Sequence, residues 1–434
     1  MDKMADVLGR AGAWCGQNKY LSAIKNAFQN FMPLTIAGAI GVLWCNVLVN
    51  DQTGLGLFFK PIMALDFLNP AFQAVNFCTI SCITVGITLG IAQEIGVWNM
   101  GAERAGYIPG LVGLAAWLSV TNTSHMVDGA KEAFTGIAGN ELGATGLFTG
   151  MIIGVLSVEL FCFFEKQDAL KIKMPEQVPP GVARAFEVLV PATITLIITA
   201  CIGSACYNLT GLYLNDVIKN GIQGPLGAVG ATIPGVMIIY LVIMLFWLVG
   251  IHGNNMLSAV KEALFTPLAL ENVEAFNKHQ TPKNIINMYA LQMWGEFGGS
   301  GVTIGLVIAI MIFGKREDNK AIATLSLVPG LFNINETVTF GIPMVLNPIL
   351  GIPFVVAPLI TIIIGYVLTV IGFCPVACLT VPWTTPPIVF GFLATGANVM
   401  GAVTQAILIV VSTVIYVPFL ISYEKYQNKQ AAEA

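Results

Sequence analysis

Charge is scarce in this chain, and the scarcity excludes most of what a 434-residue protein can be. Only 10% of the residues are Asp, Glu, Lys or Arg, and 56% are hydrophobic, whereas a soluble domain carries about 25% charged residues. A soluble protein of this length must cover a large surface with charge, so lipid replaces much of the solvent here. The mean hydropathy of +0.78 agrees. The net charge of −4 is spread thinly, and no basic stripe offers a footprint for nucleic acid. Histidine is scarcer still, at three residues, and none of the nine cysteines forms a CxxC pair. The spacings Cys78/Cys82, Cys201/Cys206 and Cys374/Cys378 fall mostly within apolar runs, so buried free thiols are expected and no metal or cofactor is. A cleavable leader is also missing. Residues 1–30 carry Lys3, Arg10, Lys19 and Lys25 but no apolar core before Phe31, which reads as a retained, partly amphipathic cytoplasmic segment.

Long apolar runs are what the chain does have. A helix needs about 20 apolar residues to cross a bilayer. Stretches of that kind lie at roughly 31–49, 74–92, 107–121, 143–164, 186–206, 226–250, 289–313, 349–371 and 401–420, the third being short. Loop charge sets their direction. Four basic residues precede the first run, and Lys166, Lys171, Lys173 and Arg184 separate the fourth from the fifth. Lys315, Arg316 and Lys320 form a further cluster, and Lys425 and Lys429 lie in the tail. The intervening loops hold Lys60 and Lys131 on one side and Arg104 on the other. Both termini are expected in the cytoplasm.

Simple alternation then fails. Lys261, Lys278 and Lys283 make 251–288 look cytoplasmic, yet so does the Lys315 cluster, and one apolar run cannot separate two segments on the same side. Polar, Gly and Pro residues break the chain around this conflict, in 251-IHGNNMLSAVKEALFTP-267, 294-WGEFGGSGVTIG-305, 327-LVPGLFNINETVTFGIPMVLNP-348 and 374-CPVACLTVPWTTPPIVFG-391. Irregular backbone at membrane depth is tolerated only where protein or a water-filled cavity shields it. Re-entrant hairpins lining a substrate cavity explain both the composition and the parity. The chain therefore divides into an N-terminal half of ordinary spans, 1–225, and a transport half, 226–434, that holds the breaks and the substrate site. No internal repeat supports inverted symmetry.

Ionisable groups within such segments are functional candidates. His252 follows a long apolar helix in Trp247-Leu-Val-Gly-Ile-His252-Gly-Asn254-Asn255; it either caps that helix or binds a ligand. Glu336 sits in Asn333-Ile-Asn335-Glu336-Thr337 between Pro329 and Pro343, which suits a cavity-lining loop. Glu296, in Trp294-Gly-Glu296-Phe-Gly-Gly, fits an exposed charge at a hairpin tip equally well. Asn, His and Glu side chains supply the donors and acceptors that a neutral polyol needs. Aromatic rings pack on the C–H face of a sugar, and Trp247, Trp294 and Trp383 lie in or beside the breaks. Membrane-interface belts also use Trp, but the coincidence with Asn-rich breaks favours a sugar over a cation.

These residues carry a resemblance. The stretches 23-AIKNAFQNFMPLTIAGAI-40, 250-GIHGNN-255, 294-WGEFGGSGVTIGL-306, 333-NINETVTFGIPMVLNP-348 and 382-PWTTPP-387 resemble the IIC permease component of the bacterial phosphoenolpyruvate-dependent sugar phosphotransferase system, in its lactose/cellobiose/diacetylchitobiose family. The resemblance implies an all-α polytopic protein of the cytoplasmic membrane, with about ten transmembrane helices, re-entrant hairpins and amphipathic cytoplasmic helices. It also implies a homodimer built on the first half and an elevator-like movement of the second. By motif the family histidine falls on His252 and the family glutamate on Glu336, with Asn335 beside it. Trp247 and Trp383 match positions near the sugar, Asn254 and Gly298 lie in the matching stretches, and Asn140 is a weaker transfer.

The expected partners are a β-linked disaccharide, cellobiose or diacetylchitobiose foremost, a separate IIB protein and its IIA donor. After Ser422 only a short polar tail follows, with no cysteine or phosphorylatable histidine of its own, so the phosphoryl donor is expected on IIB and the chain alone is not an enzyme. The glycines of 298-GGSG-301 lack the Lys-Ser/Thr of a P-loop. Sugar would bind from outside with its reacting hydroxyl held by His252 and Glu336, and phosphorylation on the cytoplasmic side would drive uptake. Glu336 either takes the proton or positions the hydroxyl. The rivals are an ion-coupled sugar transporter using Glu336 as coupling group, and a membrane enzyme acting on lipid-linked sugar, which needs a second convergent carboxylate or a metal cluster.

Overall fold

The computed structural model describes residues 10, 13–14, 17–51, 55–125, 134–175, 177–342 and 344–433; Lys3, Cys15, Lys131 and Pro343 lie outside the described residues. Two compact units emerge. One comprises Gln17–Ala37 with Phe77–Ala228, and the other Gly38–Asn76 with Val229–Ala434.

The first unit holds α1 (Lys19–Leu43, which runs out of the unit after Ala37), α2 (Ile83–Met100), α3 (Ile108–Val120), α4 (Ala144–Glu165) and α5 (Pro180–Thr210). α1 starts well before Phe31, which extends the first apolar run back into the segment read as cytoplasmic. The reason is that its polar residues find partners: Lys19 pairs with Glu159 at 2.6 Å and Asn26 donates to Glu94 at 2.9 Å. Small residues let α2, α3 and α4 approach closely, as membrane helices do. A side chain at Gly113 would strike Ala92, and one at Gly150 would strike Thr88. At the end of α4 the buried Glu165 takes both Arg104 and Arg184 at 2.9 Å.

The second unit holds α6 (Ile233–Leu248), α7 (Ser258–Asn277), α8 (Met288–Gly295), α9 (Ile304–Phe313), α10 (Glu317–Leu331), α11 (Gly351–Val370) and α12 (Val399–Glu433). Side-chain caps start three of them, Asn398 accepting from Met400 N at 2.9 Å before α12. Thr232 accepts from Gly235 N before α6, and Asn287 accepts from Tyr289 N and Ala290 N before α8. The segment from Met288 to Phe313 bends by 60° between its two parts. Irregular backbone also separates α6 from α7, α10 from α11, and α11 from α12.

Among the described residues five helices are long and apolar enough to cross a membrane, or seven if each bent pair is one span. The chain is thus an all-α, multi-pass membrane protein. Each of the nine apolar stretches overlaps one of these spans or a shorter apolar helix, α3 or α6. At 1.5 Å per residue α3 and α6 reach only about 20 and 24 Å, short of a hydrocarbon core of about 30 Å. The expected ten spans therefore go beyond what helix length supports.

Candidate functional site

The breaks of the second unit converge on one another. After α6 the chain turns through Gly250 (φ +80°), and His252 opens a short helix, Gly253–Met256, with its Nδ1 accepting from Asn255 N at 3.3 Å. That bond places the ring proton on Nε2. Nε2 faces Glu336 Oε1 at 3.8 Å, and both side chains are open to solvent, 36% and 47% exposed. The separation exceeds a direct hydrogen bond. A single hydroxyl oxygen can nevertheless reach both atoms, accepting from the imidazole and donating to the carboxylate.

Glu336 begins the short helix Glu336–Gly341, and the turn before it is held from three directions. Asn333, at φ +62°, accepts from Gly298 N at 2.7 Å and donates to the carbonyls of Trp383 and Thr385. Asn335, buried, donates to Ser300 O at 2.7 Å. Gly298 (φ +71°) also accepts from Thr303 Oγ1 at 2.6 Å, and Asn254 donates to Ser300 Oγ at 2.9 Å. His252, Asn254, Gly298, Asn335, Glu336 and Trp383 are thus tied into one set of broken segments. Asn140 lies exposed in the other unit, on the short helix Gly139–Leu142.

Two expectations need correction. Trp247 and Trp294 are 2% and 1% exposed, so neither offers an open face; Trp383, at 43%, does. Trp247 supports the site from beneath, its ring 4.4 Å from the His252 ring and edge-on to Phe354. Glu296 is not an exposed hairpin tip. Its carboxylate pairs with Lys261 and accepts from the Tyr240 hydroxyl at 2.7 Å. Lys261, counted above as a cytoplasmic loop charge, is 6% exposed. Burial of the pair removes part of the parity conflict that its loop charge created.

Asn333, Ser300, Lys261 and Tyr240 join these contacts although sequence reasoning did not single them out. Lys261 carried no local signal: Asn254 lies on the short helix Gly253–Met256 and Lys261 on α7, and its partner Glu296 is 35 residues away in sequence. Among the described residues no three His, Cys, Asp or Glu side chains converge as metal ligands.

A family model described as "Phosphotransferase system, EIIC" matches residues 25–358. An oligo-beta-mannoside-specific EIIC component of Bacillus subtilis (strain 168) is 32% identical over 429 residues, which span 98% of this chain and 94% of the relative. A cellobiose-specific EIIC component of Lactococcus lactis subsp. lactis (strain IL1403) is 30% identical over 98% of each chain. The crystal structure of the transporter ChbC, the IIC component from the N,N'-diacetylchitobiose-specific phosphotransferase system, is similar at a TM-score of 0.88 and 29% identity, covering 97% of both chains.

Proposed function

The chain belongs to the EIIC family of the phosphotransferase system, and from that premise we propose that it binds a β-linked disaccharide, cellobiose or diacetylchitobiose foremost, between His252 and Glu336. It is a sugar permease, and the phosphoryl group comes from a separate IIB protein charged in turn by IIA. The IIB phosphocysteine gives up its phosphoryl group as its P–S bond breaks. A P–O bond forms on the sugar hydroxyl, and the hydroxyl proton ends on the departing cysteine sulfur. The charged product is released to the cytoplasm. In this reading the chain works as a homodimer in the bacterial cytoplasmic membrane, with ten spans, two re-entrant hairpins and both termini inside. Residues 1–225 form the scaffold and 226–434 carry the sugar.

The observation that carries the site is the 3.8 Å gap between a donor, His252 Nε2, and an acceptor, Glu336 Oε1. A gap of that size with opposite hydrogen-bonding characters on its two sides suits a hydroxyl, which is both acceptor and donor. Phosphoryl transfer depends chiefly on positioning and electrostatics, so Glu336 acts mainly by holding the hydroxyl in line. Asn335, Asn254, Gly298 and Trp383 complete the sugar pocket, with Trp247 behind His252.

Glu336→Gln tests this reading. Gln keeps one contact and loses the charge. A charge-assisted hydrogen bond contributes about 1.5–3 kcal/mol, so disaccharide binding should weaken by roughly tenfold to a hundredfold. An analogue lacking the reacting hydroxyl should bind the wild type poorly yet lose little more in the variant, because both changes delete one contact. Additive losses would place Glu336 elsewhere, as a structural or ion-coupling group.

A further inference from the structure

A buried cation lies close to the His252–Glu336 gap without being part of it. Lys261, on α7, has its ammonium paired with Glu296, 3.4 Å from Asn254 Oδ1 and 5.5 Å over the Tyr240 ring. From there the contacts run on. Asn254 Nδ2 donates to Ser300 Oγ at 2.9 Å, the carbonyl of Ser300 accepts from Asn335 Nδ2 at 2.7 Å, and Asn335 directly precedes Glu336. Three hydrogen bonds therefore lead from the ammonium to the residue before the carboxylate. They join the turn after α6, the break between α8 and α9, and the turn after α10.

Stability alone does not account for this arrangement. Replacing a buried ion pair by well-packed uncharged residues is often neutral or stabilising, so nothing about folding requires a lysine at 261. A fixed cation does something that an apolar residue cannot. It orients the Asn254 amide, with Oδ1 toward Lys261 and Nδ2 toward Ser300, and so sets the height of Ser300 under Asn335. Glu296 keeps that cation neutralised within a buried site, and the Tyr240 hydroxyl satisfies the same carboxylate oxygen.

We propose that Lys261 is a positioning residue for the reacting-hydroxyl pocket: paired with Glu296, its ammonium orients Asn254 and, through Ser300 and Asn335, sets where the Glu336 carboxylate stands against His252. The proposal rests on the reading of His252 and Glu336 as the hydroxyl ligands.

The test uses the purified full-length chain in detergent, with cellobiose and diacetylchitobiose as probes, calorimetry for affinity and thermal unfolding as a separate readout. The variant Lys261→Met/Glu296→Gln strands no charge, so its Tm should stay near that of wild type. Its affinity should nevertheless fall about tenfold, the scale of one charge-assisted hydrogen bond. Adding Glu336→Gln should then cost under about threefold, because the carboxylate already stands out of place. Lys261→Arg keeps the charge and should recover most of the affinity. Ser300→Ala breaks the Asn254 link without touching the pair and should show the same reduced effect of Glu336→Gln. Wild-type affinity in the double variant, with the full penalty of Glu336→Gln retained, would reduce Lys261 to structural support. If the double variant fails to fold, the Ser300→Ala/Glu336→Gln cycle decides alone, and additive losses there overturn the proposal. Failure of the underlying site reading is distinguishable, since Glu336→Gln would then leave binding unchanged in the wild-type background.

Discussion

At the scale of single residues, two carboxylates outside the membrane-crossing helices sit in opposite settings. Asp318, at the start of α10, takes Arg316 Nε at 3.0 Å and Nη2 at 2.7 Å, and this bidentate partner holds its carboxyl below the usual range. Its contribution is present above the unfolded pKa and is lost as pH falls through the folded one, and exposure to solvent keeps it small. Glu141, at the entry to α4, is 8% exposed, and burial pushes its carboxyl up, with Asn215 and then His125 pulling the other way. A raised acid has the reverse sign. The folded state binds the proton more tightly, so stability is full below the unfolded pKa and declines as pH rises through the folded pKa. Glu141→Gln mimics the protonated acid at every pH. The variant should unfold at a higher Tm than wild type at neutral and alkaline pH, and the gain should vanish toward the ordinary carboxylate range. A gain of equal size at all pH values would mean that ionisation of Glu141 plays no part.

At the scale of elements, the break between α8 and α9 depends on backbone that only glycine adopts easily. Gly298, Gly299 and Gly301 have φ of +71°, +88° and +80°, a region that costs other L-residues about 1–2 kcal/mol. A Cβ on Gly299 would also stand 2.7 Å from Cβ and Cγ of Asn335. Gly372, after the end of α11, also has a positive φ (+79°) but has nothing within 4 Å of an added Cβ. Gly372→Ala should therefore lower stability by about 1 kcal/mol and leave sugar affinity intact. Gly299→Ala should lose a similar amount and also displace Asn335, weakening binding by about tenfold or more. Unfolding and calorimetry on the pair separate strain from displacement; equal affinities would show that Asn335 tolerates being moved. The same contrast explains what was legible in the sequence. Gly, Pro and Asn mark irregular backbone by local chemistry, so the four interrupted stretches were readable, and Val302, Asn333, Leu346 and Ile388 with their positive φ fall inside them. His252 and Glu336 were readable for the same reason, being ionisable groups inside those stretches. Lys261 lies in the first of those stretches too but reads there as a loop charge, because its burial depends on Glu296, 35 residues away in sequence. The early start of α1 was not readable, because it rests on pairings of Lys19 and Asn26 with residues of α4 and α2.

At the scale of the whole molecule, the helices are turned inside out relative to a soluble protein. Along α12, Val403, Ile407, Val410, Val414 and Ile421 are exposed at helical spacing, while Thr404, Gln405 and Ser412 are buried. Apolar residues outward and polar residues inward suit lipid as the surrounding solvent. A permease in that setting needs a source of free energy, and group translocation takes it from the phosphoryl donor in place of an ion gradient. The donor works on one side only. In the orientation proposed above, Lys166, Lys171, Lys173, Arg184 and the Lys315, Arg316, Lys320 cluster face that side by loop charge. Inside-out vesicles bearing this chain, loaded with disaccharide and given phosphorylated IIB in the medium, should release sugar phosphate to the medium at a rate that an uncoupler leaves unchanged. Right-side-out vesicles given the same IIB should release none, because the phosphocysteine cannot reach the opposite face. Reaction in the right-side-out preparation alone would reverse the orientation. Sugar movement that proceeds without IIB and collapses with the uncoupler would establish ion coupling, with Glu336 the first residue to examine as the coupling group.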